Sequence, residues 1–190
     1  MRGTSCEKQD AKRFGKMKKE GKSVSVLNET DVEPSENHQM KVLIVYDSVY
    51  GNTERIAKAV GDAIAGEVKV LRVGEVHSSE LKTFDLLIVS SPTQGGRPTL
   101  VIQEFLKILE PVVKGINVAA FDTRLSTRLV GIFGYAAVRI ADSLKRNGGI
   151  LIAPPEGFFV RGKEGPLKEG ELERAARWAK EIEAYWRKAR

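Results

Sequence analysis

The segment that most constrains the fold of this chain is Lys41–Ala65, KVLIVYDSVYGNTERIAKAVGDAIA. It opens with a short apolar run, Val42–Tyr46, whose composition is typical of a strand buried on both faces of a parallel sheet. A polar turn at 47–52 follows, and apolar residues at helical spacing, beginning with Ile56 and Val60, then predict a helix. A helix N-terminus at the carboxyl end of a central strand has unpaired N–H groups and the positive end of the helix dipole. The segment therefore predicts a phosphate site.

The composition of the turn supports the same prediction. Ser48, Asn52 and Thr53 offer short side-chain donors, and Gly51 permits a close backbone approach or a positive φ. The turn contains no Lys or Arg, the pattern G-x-x-x-x-G-K-[ST] is missing from the chain, and G-x-G-x-x-G is missing from this turn. A neutral cradle for a terminal phosphate fits these residues, and the alternative is a polar turn in which Asn52 or Thr53 caps the helix.

The rest of the chain alternates between predicted strands and helices. The four further strands are Glu67–Val73, Phe84–Ser90, Gly115–Phe121 and Ile150–Ala153, the last of them ended by Pro154 and Pro155. The further helices are a turn at Ser78–Leu81, Leu100–Leu109 before Pro111, about Ile132–Arg146, and about Glu169–Lys188. Five strands that alternate with helices predict an α/β fold with a parallel sheet and right-handed crossovers.

The turn also resembles a known phosphate loop. Ser48–Glu54, SVYGNTE, is similar to the [ST]-x-[TY]-G-x-T loop of flavodoxins and flavodoxin-fold reductases. Tyr50 at the third place is closer to the flavodoxin domains of diflavin–iron proteins and to quinone reductases of this fold. The resemblance runs over about Met40–Tyr185 and includes Pro155–Ala175. It implies a doubly wound, five-stranded parallel sheet in the order 2-1-3-4-5, with the ligand site at the switch point between strands 1 and 3.

The resemblance implies FMN as the cofactor and assigns its contacts to three loops. The phosphate would be held by side chains and main-chain N–H groups of Ser48, Val49, Tyr50, Gly51, Asn52 and Thr53. One edge of the flavin ring would be lined, after strand 3, by Pro92, Thr93, Gln94, Gly95 and Gly96, and another, after strand 4, by Phe121, Asp122 and Thr123. Asp122 would accept a hydrogen bond from ring N3–H or a ribityl hydroxyl, or else cap a turn. No catalytic residue is assigned, because electron transfer needs no acid, base or nucleophile.

One departure from the family concerns the ring itself. Small flavodoxins sandwich the ring between aromatic residues of the second and third loops, and neither loop has one here. Tyr50 can contact the ring edge, and Phe158 or Phe159 either supplies a face or belongs to the core. Three basic residues, Arg97, Arg124 and Arg128, are expected near the ring. Positive charge would favour the anionic reduced flavin and make the second reduction potential less negative than in acidic flavodoxins.

Composition limits the partners and the compartment. The net charge is +6 and the pI about 9.4, which favours acidic partners or polyanions, although scattered surface lysines explain it equally. No nucleic-acid-binding motif is present, and no apolar run approaches the ~20 residues that span a bilayer. Cys6 is the single cysteine, and His38 and His77 form no metal set with it. We expect a cytoplasmic protein without a structural metal.

The first 39 residues differ in composition from the rest. Hydrophobic residues are sparse there, the start is rich in Lys and Gly, and the following part is acidic, which is typical of a disordered segment. The expected organisation is a disordered or dispensable extension at 1–39 and a flavodoxin-like domain at 40–190. Met40 directly precedes the first strand, so we expect the functional protein to begin there or to tolerate loss of the extension.

The sequence leaves three functions open. The leading hypothesis is an FMN-binding redox protein that passes electrons to a partner protein, an acidic one included, or to a small-molecule acceptor. The second is an NAD(P)H:quinone oxidoreductase of the same fold, for which the missing ring aromatics would leave room. The third is an interaction module without a cofactor. The physiological donor and acceptor and the oligomeric state do not follow from the sequence.

Overall fold

Strands and helices alternate along the chain in the computed structural model, which describes residues 39–110, 112–126 and 134–188. The strands are Lys41–Tyr46 (β1), Glu67–Arg72 (β2), Leu86–Pro92 (β3), Asn117–Leu125 (β4), Ile150–Leu151 (β5) and Glu156–Val160 (β6). The helices are Asn52–Ala63 (α1), Leu100–Ile108 (α2), Ala136–Arg146 (α3) and Glu171–Lys188 (α4), with 3₁₀ turns at Val73–Glu75 and Ser78–Thr83. The expectations for residues 1–38, Arg128 and positions 132–133 of the helix predicted from Ile132 concern positions outside the described residues. Gly134 and Tyr135 are not helical, so this helix begins later than predicted, at Ala136.

The strands form one parallel sheet in the order β2-β1-β3-β4-β5, which confirms the predicted doubly wound architecture. In its centre, β1 pairs with β2 on one side, as in Val42 with Val68, and with β3 on the other, as in Val42 with Leu86. The chain order reverses between β1 and β3, so the carboxyl ends of these two strands bound the crevice where ligands of such sheets bind.

The predicted fifth strand is interrupted rather than ended by its prolines. Only Ile150 and Leu151 pair with the start of β4; after Pro154 and Pro155 the chain pairs again with the same strand as β6. Proline lacks the N–H that a ladder needs, which explains the gap. Because β6 supports its second half, β4 continues through Leu125, and Asp122 and Thr123, predicted to lie in the loop after strand 4, belong to the strand.

Both faces of the sheet are covered, as the apolar composition of β1 predicts. Val42 and Ile44 face a core built with α1 and α4, whereas Leu43 and Val45 face a second core built with α2 and α3. All four side chains are at most 1% exposed. Burial of side chains of this size contributes about 1.5–3 kcal/mol each to stability. This packing fixes the strand ends from which the polar loops project.

Candidate functional site

A pocket of about 530 Å³ lies at the carboxyl ends of β1, β3 and β4. Its lining comes from the three loops that the sequence singles out and from the segment at the end of β6. The residues are Ser48, Val49, Tyr50, Asn52, Thr53, Pro92, Thr93, Gln94, Gly95, Thr123, Arg124, Leu125, Val160 and Lys163. Ten of the fourteen predicted site residues are therefore brought together, and Gly51, Gly96, Phe121 and Asp122 are outside the lining.

In the part of the chain that the structure describes, the phosphate loop, residues 47–53, has one buried side-chain polar atom without a hydrogen-bond partner. Ser48 is 5% exposed, and its Oγ has no hydrogen-bond partner among the described residues. Gly51 is the N-cap of α1 with φ 80°, the helix end has no side-chain cap, and a Cβ at Gly51 would meet nothing within 4 Å. A hydroxyl that lacks a partner inside a pocket, beside an uncapped helix N-terminus, fits a bound phosphate.

The other two predicted phosphate ligands already have partners in the protein. Asn52 donates from Nδ2 to the carbonyl of Glu164 at 2.9 Å. The hydroxyls of Thr53 and Thr123 share a hydrogen bond of 2.8 Å. An amide nitrogen carries a second hydrogen and a hydroxyl can both donate and accept, so these groups keep some capacity for a ligand. Their present contacts join the phosphate loop to β4 and to the segment after β6.

The segment after β6, which we call the 161–166 turn, adds a cation to the pocket. Gly165, with φ 109°, lies so close to the phosphate loop that a Cβ there would be 2.6 Å from Asn52 Nδ2. This contact and the hydrogen bond from Asn52 to Glu164 hold the turn beside the phosphate loop, and Lys163 lines the pocket as a result. The prediction of a neutral cradle did not include Lys163, although glycines near it at 162 and 165 indicate a turn.

The loop after β3 forms a tight turn. Gln94 and Arg97 exchange main-chain hydrogen bonds of 2.9 and 3.0 Å, and the two residues between them, Gly95 and Gly96, have φ values of 54° and 76°. Positive φ at both central positions explains why both residues are glycine. Gly95 lines the pocket, whereas the carbonyl of Gly96 accepts a hydrogen bond from Arg139 Nε at 2.8 Å.

Asp122 lies behind the pocket and is fully buried. Its carboxylate accepts from Arg124 Nε at 2.5 Å, from Thr93 Oγ1 at 2.9 Å and from the Ala137 N–H in the first turn of α3 at 2.8 Å. Burial raises the pKa of this carboxyl above its ordinary value, while the Arg124 charge and the three donors oppose the rise. These contacts correspond to the capping alternative for Asp122.

The basic residues expected near the ring lie in different environments. The Arg124 side chain is 10% exposed, is paired with Asp122, and has its guanidinium carbon 3.7 Å from the ring centroid of Tyr135. Its charge is thus balanced within the protein, although Arg124 lines the pocket. Arg97 lines a different cavity, between α2 and α3.

The two phenylalanines considered as ring contacts, Phe158 and Phe159, are fully and partly buried, respectively. Phe158 is fully buried, with edge-on contacts to Phe121 and Trp178 at centroid distances of 5.6 and 6.1 Å. The core alternative is therefore correct for Phe158, and the side chain of Phe121 lies in the same cluster. Phe159 is partly buried beneath Arg174, whereas Tyr50, 46% exposed, lies at the rim of the pocket.

Two classes of feature are missing from the part of the chain that the structure describes. In residues 39–110, 112–126 and 134–188, no group of three or more His, Cys, Asp or Glu side chains could hold a metal ion. Within the same ranges, no helix has the length and apolarity needed to cross a membrane.

Comparison with known proteins identifies similar chains. The family model described as Flavodoxin matches residues 44–178. A flavodoxin from the domain Archaea is 24% identical, with a TM-score of 0.67 over 78% of this chain and 99% of that one. Oxidised flavodoxin 1 from Bacillus cereus is 18% identical, with a TM-score of 0.64 over 75% and 96% of the two chains.

A larger protein also contains a similar fold. The rubredoxin oxygen:oxidoreductase from Desulfovibrio gigas is 20% identical, with a TM-score of 0.62 over 78% of this chain but only 36% of that one. A comparison with curated protein sequences found no match. At these identities the structural similarity establishes the fold.

Proposed function

Because the chain belongs to the flavodoxin family, we propose that it binds FMN in the 530 Å³ pocket and acts as an electron-transfer protein. Proteins of this family bind FMN. The observation that carries the proposal is the buried Ser48 hydroxyl, which has no hydrogen-bond partner among the described residues and lies next to the uncapped N-terminus of α1. A polar atom in this state costs stability unless a ligand satisfies it.

The phosphate end of FMN would lie in the phosphate loop. Ser48 Oγ and the main-chain N–H groups from Val49 to Thr53 would donate to phosphate oxygens, with the second Nδ2 hydrogen of Asn52 in support. Gly51 lets the backbone approach closely. Lys163 would add a positive charge that attracts the phosphate, which at pH 7 carries close to two negative charges.

The flavin ring would lie between the turn after β3 and the end of β4. Main-chain groups of Thr93, Gln94 and Gly95 would line one edge, with Thr123 at another and Tyr50 at the rim. FMN supplies the electron-carrying chemistry when bound, and the protein positions it. Because Asp122 balances the charge of Arg124, we now assign the positive field in this pocket to Lys163 rather than to Arg124.

Titration with FMN and, in parallel, with riboflavin tests this function. The two ligands share the ring and differ by the phosphate, so the difference in their affinities isolates the phosphate loop. We expect one FMN per chain, a shifted visible spectrum, and riboflavin binding weaker by at least about tenfold. Equal affinities for FMN and riboflavin would contradict the phosphate site. If the protein bound neither FMN, FAD nor riboflavin, the interaction module would be the remaining hypothesis.

An NAD(P)H:quinone oxidoreductase is the second candidate. Among the residues that the structure describes, no lining residue after β3 or at the end of β4 is aromatic, so these walls leave the ring face open to a second substrate. Steady oxidation of NADH with benzoquinone by the FMN-loaded protein would favour this enzyme over a carrier. A cytoplasmic location and a redox partner remain parts of the proposal.

A further inference from the structure

A second cavity, of about 340 Å³, lies between α2 and α3 and is strongly basic. Its lining residues are Arg97, Pro98, Gln103, Leu106, Lys107, Arg139, Asp142, Ser143 and Arg146. Four of them are cationic, and all four are exposed. Asp142 is the acidic member of this set, and its carboxylate is 3.0 Å from Lys145 Nζ. We call this cavity the basic groove. Its charge favours anionic groups.

The basic groove is joined to the proposed FMN pocket through the turn after β3. Gly95 lines the pocket and Arg97, two residues later, lines the groove. Arg139 lines the groove as well, and its Nε donates to the Gly96 carbonyl in the middle of the turn. A molecule bound in the groove would therefore lie directly beside the ring-binding turn.

Exposed apolar side chains on the same two helices indicate what kind of molecule binds there. Leu100, Val101 and Ile108 on α2 and Val138 on α3 are between 45% and 77% exposed. Leu100 lies on the same helical stripe as the groove residues Gln103 and Lys107, three and seven positions on. A small anion would gain nothing from this apolar surface, whereas protein interfaces combine apolar contacts with a charged rim.

We propose that the basic groove, with the exposed apolar side chains of α2 and α3, is the docking site for an acidic protein that exchanges electrons with bound FMN. The inference rests on the proposed function and adds where the partner binds. Carboxylates of the partner would pair with Arg97 and Arg146, which steers it to the ring-binding turn, whereas Lys107 is already paired with Glu104 at 2.7 Å. In each encounter one electron passes from the reduced protein to the oxidised centre of the partner, and no bond forms or breaks.

Electron transfer to an acidic probe protein tests the site. The FMN-loaded, reduced chain is mixed with the soluble haem domain of cytochrome b5, which is acidic, and reduction of its haem Fe³⁺ to Fe²⁺ is followed by absorbance. In the variant Arg97→Glu/Arg146→Glu we expect the second-order rate constant at low salt to fall about tenfold or more. Added salt should slow the unaltered chain and reduce the difference.

The matched control places the same charge change on the other face of the sheet. Arg177 and Lys180 are exposed on α4, which packs against the opposite core from α2 and α3. Arg177→Glu/Lys180→Glu should change the rate by about twofold or less, because these positions are farther from the docking surface. A second variant, Leu100→Ser, should slow transfer at high salt, where charges are screened and apolar contact remains.

Each other outcome overturns the inference in a distinguishable way. Equal loss in the two double variants would mean that net charge, not this surface, governs the rate. Unchanged rates in the groove variant would exclude the site while flavin binding stands. If sedimentation showed that the unaltered chain is a dimer and that Leu100→Ser dissociates it, the surface would be the binding site for a second copy of the chain. A chain that takes up no flavin would overturn the proposed function, and the docking site with it, before any rate is measured.

Discussion

The phosphate loop and the end of β4 lie side by side at one edge of the sheet and use their buried polar groups in opposite ways. At the end of β4, the carboxylate of Asp122 accepts three hydrogen bonds from within the protein. In the phosphate loop, Ser48 is also buried, but its hydroxyl has no hydrogen-bond partner among the described residues. Burial alone therefore does not determine whether a polar group finds a hydrogen-bond partner within the described part of the protein.

The difference has a thermodynamic consequence. A saturated buried group contributes to the stability of the protein without a ligand, so its loss should appear in the free energy of unfolding. A buried group without a partner lowers that stability, and its contribution should appear only in the affinity for the ligand. Substitutions in the two regions should therefore separate stability from binding.

Asp122→Ala should have the largest effect. The substitution leaves the guanidinium of Arg124, 10% exposed, without its carboxylate and removes the acceptor of the Ala137 N–H and the Thr93 hydroxyl. Breaking a buried ion pair from one side costs about 3–5 kcal/mol. Urea unfolding of the protein without FMN should show a loss of that size.

The control for Asp122 is Asp142→Ala. Asp142 also pairs with a basic residue, Lys145, but both side chains are about half exposed. Exposed pairs contribute about 0–1 kcal/mol, so this variant should unfold almost as the unaltered chain does. Similar losses in the free energy of unfolding of the two variants would mean that the contacts of Asp122 do not stabilise this edge of the sheet.

Ser48→Ala should have the opposite effect: it should weaken FMN binding and leave the stability of the protein without FMN almost unchanged. Loss of a hydrogen bond to a charged phosphate costs about 1.5–3 kcal/mol, so the FMN dissociation constant should rise at least about tenfold. Riboflavin affinity should stay the same, and the stability of the protein without FMN should be equal or slightly higher. Isothermal titration with the two flavins and urea unfolding measure these quantities.

Thr99→Val provides a matched control for Ser48. Thr99 Oγ1 is the other buried side-chain atom without a hydrogen-bond partner in the described part of the chain, and Thr99 does not line the pocket. Removal of its hydroxyl should leave FMN affinity unchanged. If both substitutions weakened FMN equally, the missing partner of Ser48 would not mark a phosphate site.

The contrast between the two regions also explains what the sequence could predict. The phosphate loop follows from local information, since the apolar run of β1, the turn residues and the helical spacing of α1 are consecutive. The partners of Asp122 could not be predicted, because the Ala137 N–H reaches it only after α3 packs on the sheet. Likewise, Pro154 and Pro155 indicated the end of a strand, and the continuation as β6 depends on pairing with β4.

Lys163 was missed for the same reason. It lies 111 residues beyond Asn52 in the chain, and only the hydrogen bond to Glu164 and the close approach of Gly165 bring its turn to the phosphate loop. Glycines flank this lysine on both sides, at 162 and 165, which indicates a turn but not its location. Local patterns thus predict the neutral part of the proposed phosphate site, and tertiary contacts bring Lys163 beside it.

Lys163→Gln should have the smallest effect, and it sharpens the comparison by separating charge from hydrogen bonding. Lys163 is exposed, so its attraction to the phosphate is screened, and we expect FMN binding to weaken about threefold at low salt. The loss should shrink with added salt, whereas the loss in Ser48→Ala should persist. It should also grow as pH rises from 5 to 7, because the phosphate gains its second charge near pH 6. Lys180→Gln on α4 is the control, and an equal loss for riboflavin would place Lys163 at the ring instead of the phosphate.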